Sequence, residues 1–138
     1  MKELDNLVKI NQLKEEPADA TEFAGMLRAG DAKLKDALLE GLSEDSQFAI
    51  AYSAAHAFSL AALRWHGYRS DSRYLVFQCL QYTLGLERAK WRVLDNCHKA
   101  RNLAEYEGHL DVNPQLLKEL IRITEEIQNL VKALAPIE

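Results

Sequence analysis

Apolar side chains recur every three or four residues along most of this chain, the spacing of one helix face, and no stretch alternates as a half-buried strand would. Residues 1–18 are mixed in character and end in Glu15-Glu16-Pro17, which predicts an N-terminal arm holding at most a short helical turn. Asp19, with Glu22 three residues on, forms a capping-box pattern, and Thr21 is a competing cap. Either opens a first helix to about Glu40, with Phe23, Met26, Leu27, Leu34, Leu38 and Leu42 as its apolar stripe. Gly30-Asp31 in its middle predicts a kink or local break.

Ser43, followed by Glu44 and Asp45, caps a second helix that runs to His66 and stops at Gly67. Phe48, Ala51, Tyr52, Ala55, Ser59, Ala62 and Leu63 share one side of it, and Ile50, Ala54, Ala57, Ala61 and Trp65 the other. A helix apolar on both sides is expected to be buried nearly all round. After a polar loop, Tyr68 to Asp71, either Asp71 or Ser72 caps a third helix through about Tyr82. Gly85 separates this from a fourth helix, Leu86 to Glu107, which ends at Gly108. Asn113-Pro114 then starts a last helix, with the proline at its first position. Its stripe is Leu116, Leu117, Leu120, Ile123, Ile127, Leu130, Val131 and Leu134, and Pro136 ends it. The pattern predicts an all-α protein: an antiparallel bundle of about five helices over residues 19–138, preceded by the arm.

At 138 residues, 48% of them hydrophobic, the chain suits one domain with one core. The longest apolar region, Phe48 to Leu63, is interrupted by Ser53, His56 and Ser59, so no membrane span is expected. The first ten residues lack an apolar signal core, which makes the cytoplasm the expected compartment. Cys79 and Cys97 lack metal-ligand spacing and are expected to be reduced and buried, and no metal or cofactor is expected. The net charge of −4 argues against a general DNA binder, yet the segment from Arg64 to Arg101 holds eight basic residues against three acids. Such a segment is either an anion-facing surface or a solvated face.

The fourth predicted helix carries the candidate chemistry. Val93, Cys97, Ala100 and Ala104 form a small apolar arc expected to face the core. Trp91, Leu94, His98, Arg101, Asn102 and Glu105 form a second stripe at three- and four-residue spacing, expected to point away from it. Trp91 and Leu94 would then form a dimer contact, with the polar end free to hold a ligand. A structural reading stands beside this one: Arg101 and Glu105 as a simple ion pair, Asn102 as a bridge to a neighbouring helix.

The run Lys99-Ala100-Arg101-Asn102-Leu103-Ala104-Glu105-Tyr106-Glu107-Gly108 resembles the motif helix of HEPN proteins (higher eukaryotes and prokaryotes nucleotide-binding), helical bundles in which an Arg-Asn pair is followed, after four to six residues, by a histidine. The likeness extends loosely over residues 20 to 135. It implies a homodimer with the motif helices near the two-fold axis, a possible nucleotidyltransferase-like partner in a toxin–antitoxin system, and, in active members, metal-independent RNA cleavage by arginine and histidine. Arg101 and Asn102 match the pair, whereas Tyr106 stands where the histidine would be. His109 follows Gly108, beyond the helix, and His98 precedes Arg101 by three residues on the same face. The expected function is thus a dimeric module binding RNA, a nucleotide or a protein through Arg101, Asn102, Tyr106, His98 and Glu105 without cleaving. The alternatives are a ribonuclease using Arg101 with His98 or Tyr106, and a scaffold with no ligand.

Overall fold

The computed structural model describes residues 1–108 and 112–138. The fold is an all-α helical bundle, and its longest helix, α3 (Glu44–Trp65), is also its centre. Around α3 pack α2 (Ala20–Ala37), α4 (Arg73–Gln78), α5 (Leu80–Thr83), α6 (Arg88–Glu107) and α7 (Pro114–Lys132). Buried Phe48, Tyr52 and Phe58 fill the space between neighbours, and buried Ala51, Ala54, Ala55, Ala61 and Ala62 keep α3 slim enough to be covered on every side. The hydroxyls of buried Ser59 and Thr124 donate to the carbonyls of Ala55 and Leu120, one turn back, so neither is left unpaired. No helix among the described residues is long and apolar enough to cross a membrane.

The helix starts follow local chemistry. The side chains of Asp19, Ser43, Ser72 and Asn113 accept hydrogen bonds from the backbone N–H groups of Glu22, Ser46, Leu75 and Gln115. Gly108 ends α6 at a φ of 76°, in the left-handed region that glycine enters without strain.

Gly30 does not bend α2, which is continuous through it. A Cβ at this position would lie 2.5 Å from the Phe58 ring, so the missing side chain lets α2 settle against α3. The helix stops at Ala37, short of Glu40, and Leu38, at its cap, leaves the helical register and is exposed. The third predicted helix is two pieces, α4 and α5, because the chain turns at fully buried Cys79.

The arm differs most from expectation. It contains a two-turn helix, α1 (Lys2–Lys9), and a short strand, β1 (Lys14–Glu15). This strand pairs antiparallel with β2 (Tyr68–Arg69), in the segment expected to be loop. Leu4 and Leu13 join Leu63, Tyr68, Val76 and Cys79 in a second apolar cluster. Arg64, 2% exposed, fastens the arm from beneath. Its Nε donates to Glu22 Oε1 at 2.6 Å, its Nη1 to the Glu16 carbonyl at 2.8 Å, and its Nη2 to the Pro17 carbonyl at 2.8 Å. Arg69 closes the set on the carboxylates of Glu16 and Glu22, and the Tyr68 hydroxyl bonds Asp5 in α1. A buried guanidinium costs stability unless its donors are matched, and this one is matched by chain that arrives from the arm.

Candidate anion site between three helices

Three helices bring six polar or charged side chains together around Tyr52. The first pair comes from α3, where Tyr52 and His56 stand one turn apart. Arg73, the first residue of α4, and His98, Arg101 and Asn102 of α6 complete the group. The guanidinium carbons of Arg73 and Arg101 lie 5.4 and 5.3 Å from the centre of the Tyr52 ring, within cation–π range. The His98 ring is stacked with that of Tyr52 at 6.3 Å. Tyr52 Oη is 2.8 Å from His98 Nδ1, and His98 Nε2 is 3.2 Å from the Asn102 amide nitrogen. With Asn102 donating to Nε2, the imidazole proton sits on Nδ1 and the Tyr52 oxygen accepts it. The phenol hydrogen is then left for a further acceptor.

The electrostatics of the cluster favour an anion. Burial, with the nearby guanidiniums of Arg73 and Arg101 and the His98 ring, lowers the His56 pKa to about 4. Burial also lowers that of His98, with Arg101 and Arg73 acting in the same direction and Asp95 opposing them. Both imidazoles are therefore neutral near pH 7, in a field kept positive by two arginines. Burial raises the Tyr52 phenol, against the pull of Arg73 and Arg101.

The excess of basic residues between Arg64 and Arg101 is not one continuous surface. Arg64 and Arg69 are taken up by Glu16 and Glu22, Lys90 by Glu126 and Lys99 by Asp95. Arg101 keeps a looser contact with Glu105 at 3.5 Å. Among the described residues, Arg73 has no acidic partner at ion-pair distance, and it carries the uncompensated charge of the cluster.

Of the residues singled out in the sequence, His98, Arg101 and Asn102 are brought together, with Glu105 beside Arg101. Tyr106 is not: its side chain is 93% exposed and makes no hydrogen bond to a described residue. His109 lies outside the described residues. Trp91 and Leu94, expected at a dimer contact, are 7% and 0% exposed and belong to the core of their own chain. The reason is the direction of α6: Trp91, Leu94 and Cys97 turn inward, while Val93 and Ala100 are only partly covered. Cys79 and Cys97 are free and buried, with thiols pushed up to about 12 by burial, out of the range of reactive cysteines. Among the described residues no group of three or more His, Cys, Asp or Glu is placed to hold a metal ion.

Sequence reasoning missed Tyr52, His56 and Arg73. Tyr52 and His56 are four residues apart in an otherwise apolar helix, which was a visible signal. Nothing local pointed to Arg73. No protein-family model, characterised protein or solved structure matches this chain. The chemistry of the cluster is therefore argued from its own geometry.

Proposed function

We propose that this chain is a HEPN-like module that binds RNA or a nucleotide through a phosphate held between Arg73 and Arg101, and that it binds without cutting. The observation that carries this reading is the approach of two guanidiniums from different helices to one phenol ring, one of them without an acidic partner among the described residues. Arginine presents a planar fork of donors suited to phosphate oxygens, and its charge is permanent. The Tyr52 hydroxyl and neutral imidazoles add donors that impose no negative charge. Arg101-Asn102 on the penultimate long helix supports the resemblance. Binding without cleavage is favoured because both ring nitrogens of His98 are already engaged and Tyr106 stands apart from the cluster.

A homodimer belongs to the same proposal, with its contact moved to Leu103 and Tyr106 of α6, both exposed apolar residues. A nucleotidyltransferase-like partner in a toxin–antitoxin pair and a cytoplasmic location follow from the resemblance. A ribonuclease reading draws on one observation: His98 is neutral near pH 7 beside Arg101 and is thus able to accept a proton.

The test is fluorescence anisotropy with short single-stranded RNA at two salt concentrations, run beside a cleavage assay with chelator present. Salt-sensitive binding that falls at least about tenfold in both Arg73→Ala and Arg101→Ala, with intact RNA recovered, is the expected result. Binding unchanged in both variants removes the phosphate reading. Cleavage in chelator that disappears in Arg101→Ala installs the ribonuclease instead.

A further inference from the structure

Beside the arginine cluster, α4 and α6 enclose a second feature, a cleft of about 280 Å³ lined by Tyr74, Trp91, Arg92, Asp95, Asn96 and Lys99. Two atoms of its lining are buried and lack any hydrogen-bond partner: the indole nitrogen of Trp91 and Oδ1 of Asp95. One is a donor and the other an acceptor, and they stand one turn apart on the same helix. Trp91 is more than nine-tenths buried, so its N–H has no bulk water to turn to. A buried polar atom without a partner is a standing cost in a folded protein, and a ligand or water that supplies the partner relieves it.

The rest of the cleft narrows the choice of ligand. Tyr74, exposed at the mouth, meets Trp91 edge to face at 6.4 Å between ring centres and offers a free aromatic face. Lys99 Nζ holds the other carboxylate oxygen of Asp95 at 3.1 Å, which leaves Oδ1 as a single acceptor. Arg92 adds a cation with no acidic partner among the described residues. Tyr74 follows Arg73 directly in α4, so the cleft opens next to the guanidinium assigned to phosphate.

We infer that this cleft receives a nucleobase, whose ring stacks on Tyr74 and whose edge presents an acceptor to Trp91 Nε1 and a donor to Asp95 Oδ1. The inference rests on the phosphate reading of the Arg73–Arg101 cluster and adds the second half of the ligand. Every common base carries a donor beside an acceptor on its pairing edge, so this pair of protein atoms selects a base without selecting which one. Stacking on an aromatic ring is equally tolerant of base identity. The cleft is at the small end of ligand pockets and suits a single ring system, with sugar and phosphate outside it.

The indole N–H of Trp91 is its own reporter. In nitrogen–proton correlation spectra the two tryptophans give separate indole signals, and Trp65, whose N–H bonds the Ala135 carbonyl at 2.7 Å, serves as internal control. The probes are the four ribonucleoside monophosphates, ribose 5-phosphate and inorganic phosphate. The monophosphates are expected to move the Trp91 signal and leave that of Trp65 in place. Ribose 5-phosphate and phosphate are expected to shift the Arg73 and Arg101 side chains only.

Trp91→Phe, and Tyr74→Ala as the variant that spares the core, should each weaken the monophosphates by about five- to a hundredfold while ribose 5-phosphate binds as before. If ribose 5-phosphate binds but no monophosphate moves the Trp91 signal, or if both variants bind monophosphates normally, the base site is wrong and the phosphate site stands. If uncharged nucleosides move the signal while phosphate touches neither arginine, the cleft stands and the phosphate reading falls. A Trp91 signal already in fast contact with water and indifferent to every probe marks a hydration site only and overturns the inference.

Discussion

Tyr52 on α3 and His98 on α6 are 46 positions apart in the chain and meet at 2.8 Å through Oη and Nδ1. Their bond ties the central helix to the helix that carries Arg101 and Asn102. Tyr52→Phe keeps the ring beneath both guanidiniums and removes only the hydroxyl. Its expected cost is about 1 kcal/mol of unfolding free energy, the usual worth of one such bond. Urea denaturation measures it, and a loss below about 0.3 kcal/mol would mean the bond contributes nothing to the fold.

His56 makes the protein sensitive to acid. Its pKa is about 4 when folded, against about 6.5 for an unfolded histidine. The unfolded chain therefore takes up a proton first as pH falls. Stability from this group is complete above pH 6.5, declines between 6.5 and 4, and has lost about 3 kcal/mol by the lower limit. His56→Gln should flatten that part of the stability curve relative to the parent. A bound phosphate reverses the field, raises the pKa of His56 and His98, and should bind more tightly at pH 5.5 than at pH 7. Calorimetry in two buffers of different ionisation heat would register the accompanying proton uptake.

Gly30→Ala sets two effects against each other. The substitution favours the helical backbone of α2 by about 1 kcal/mol. It also drives a Cβ to 2.5 Å from a Phe58 ring that has no free space to retreat into. Overpacking of this kind costs about 1–3 kcal/mol, so the net expectation is a loss of about 1 kcal/mol. Adding Phe58→Leu should make the alanine less harmful than it is alone. Simple additivity of the two changes would disprove the steric account.

Arg64→Met keeps the apolar stem and removes the guanidinium. Glu16, Glu22 and the carbonyls of Glu16 and Pro17 then lose their donor. A loss of about 2–3 kcal/mol is expected, at the low end for a broken buried pair because both carboxylates are partly solvated. Limited proteolysis should become faster between residues 10 and 18, while the α2–α3 core remains protected. Equal cleavage rates in parent and variant would show that the arm is held by its apolar contacts alone.

How much of this was legible in the sequence depends on the range of the interaction. Caps at Asp19, Ser43, Ser72 and Asn113, and the stop at Gly108, are decided within a few residues and could be read directly. Burial of α3 on all sides also followed from its composition. The inward face of α6 did not, because that helix has two possible apolar arcs, and only packing against α4 and α7 chooses Trp91, Leu94 and Cys97. The arm was read as mixed, although Leu4, Leu7 and Val8 have helical spacing, because Glu3 and Asp5 interrupt it. Half of the anion cluster was out of reach for a similar reason. Arg73 meets Arg101 only through Tyr52, a coincidence of three helices that no local pattern encodes.

The two-residue pairing of β1 with β2 has a consequence for the site it never touches. Tyr68 and Arg69 hand the chain from α3 to α4, and Arg73 begins four positions after the paired segment. The arm thus acts as a mooring for the cation that an incoming phosphate would meet first. If seating the arm improves the position of Arg73, thermodynamic reciprocity requires the converse: an occupied site holds the arm down by the same factor. Whatever pries the first eighteen residues loose would be felt as a weaker grip on the ligand, some distance from any residue that had changed.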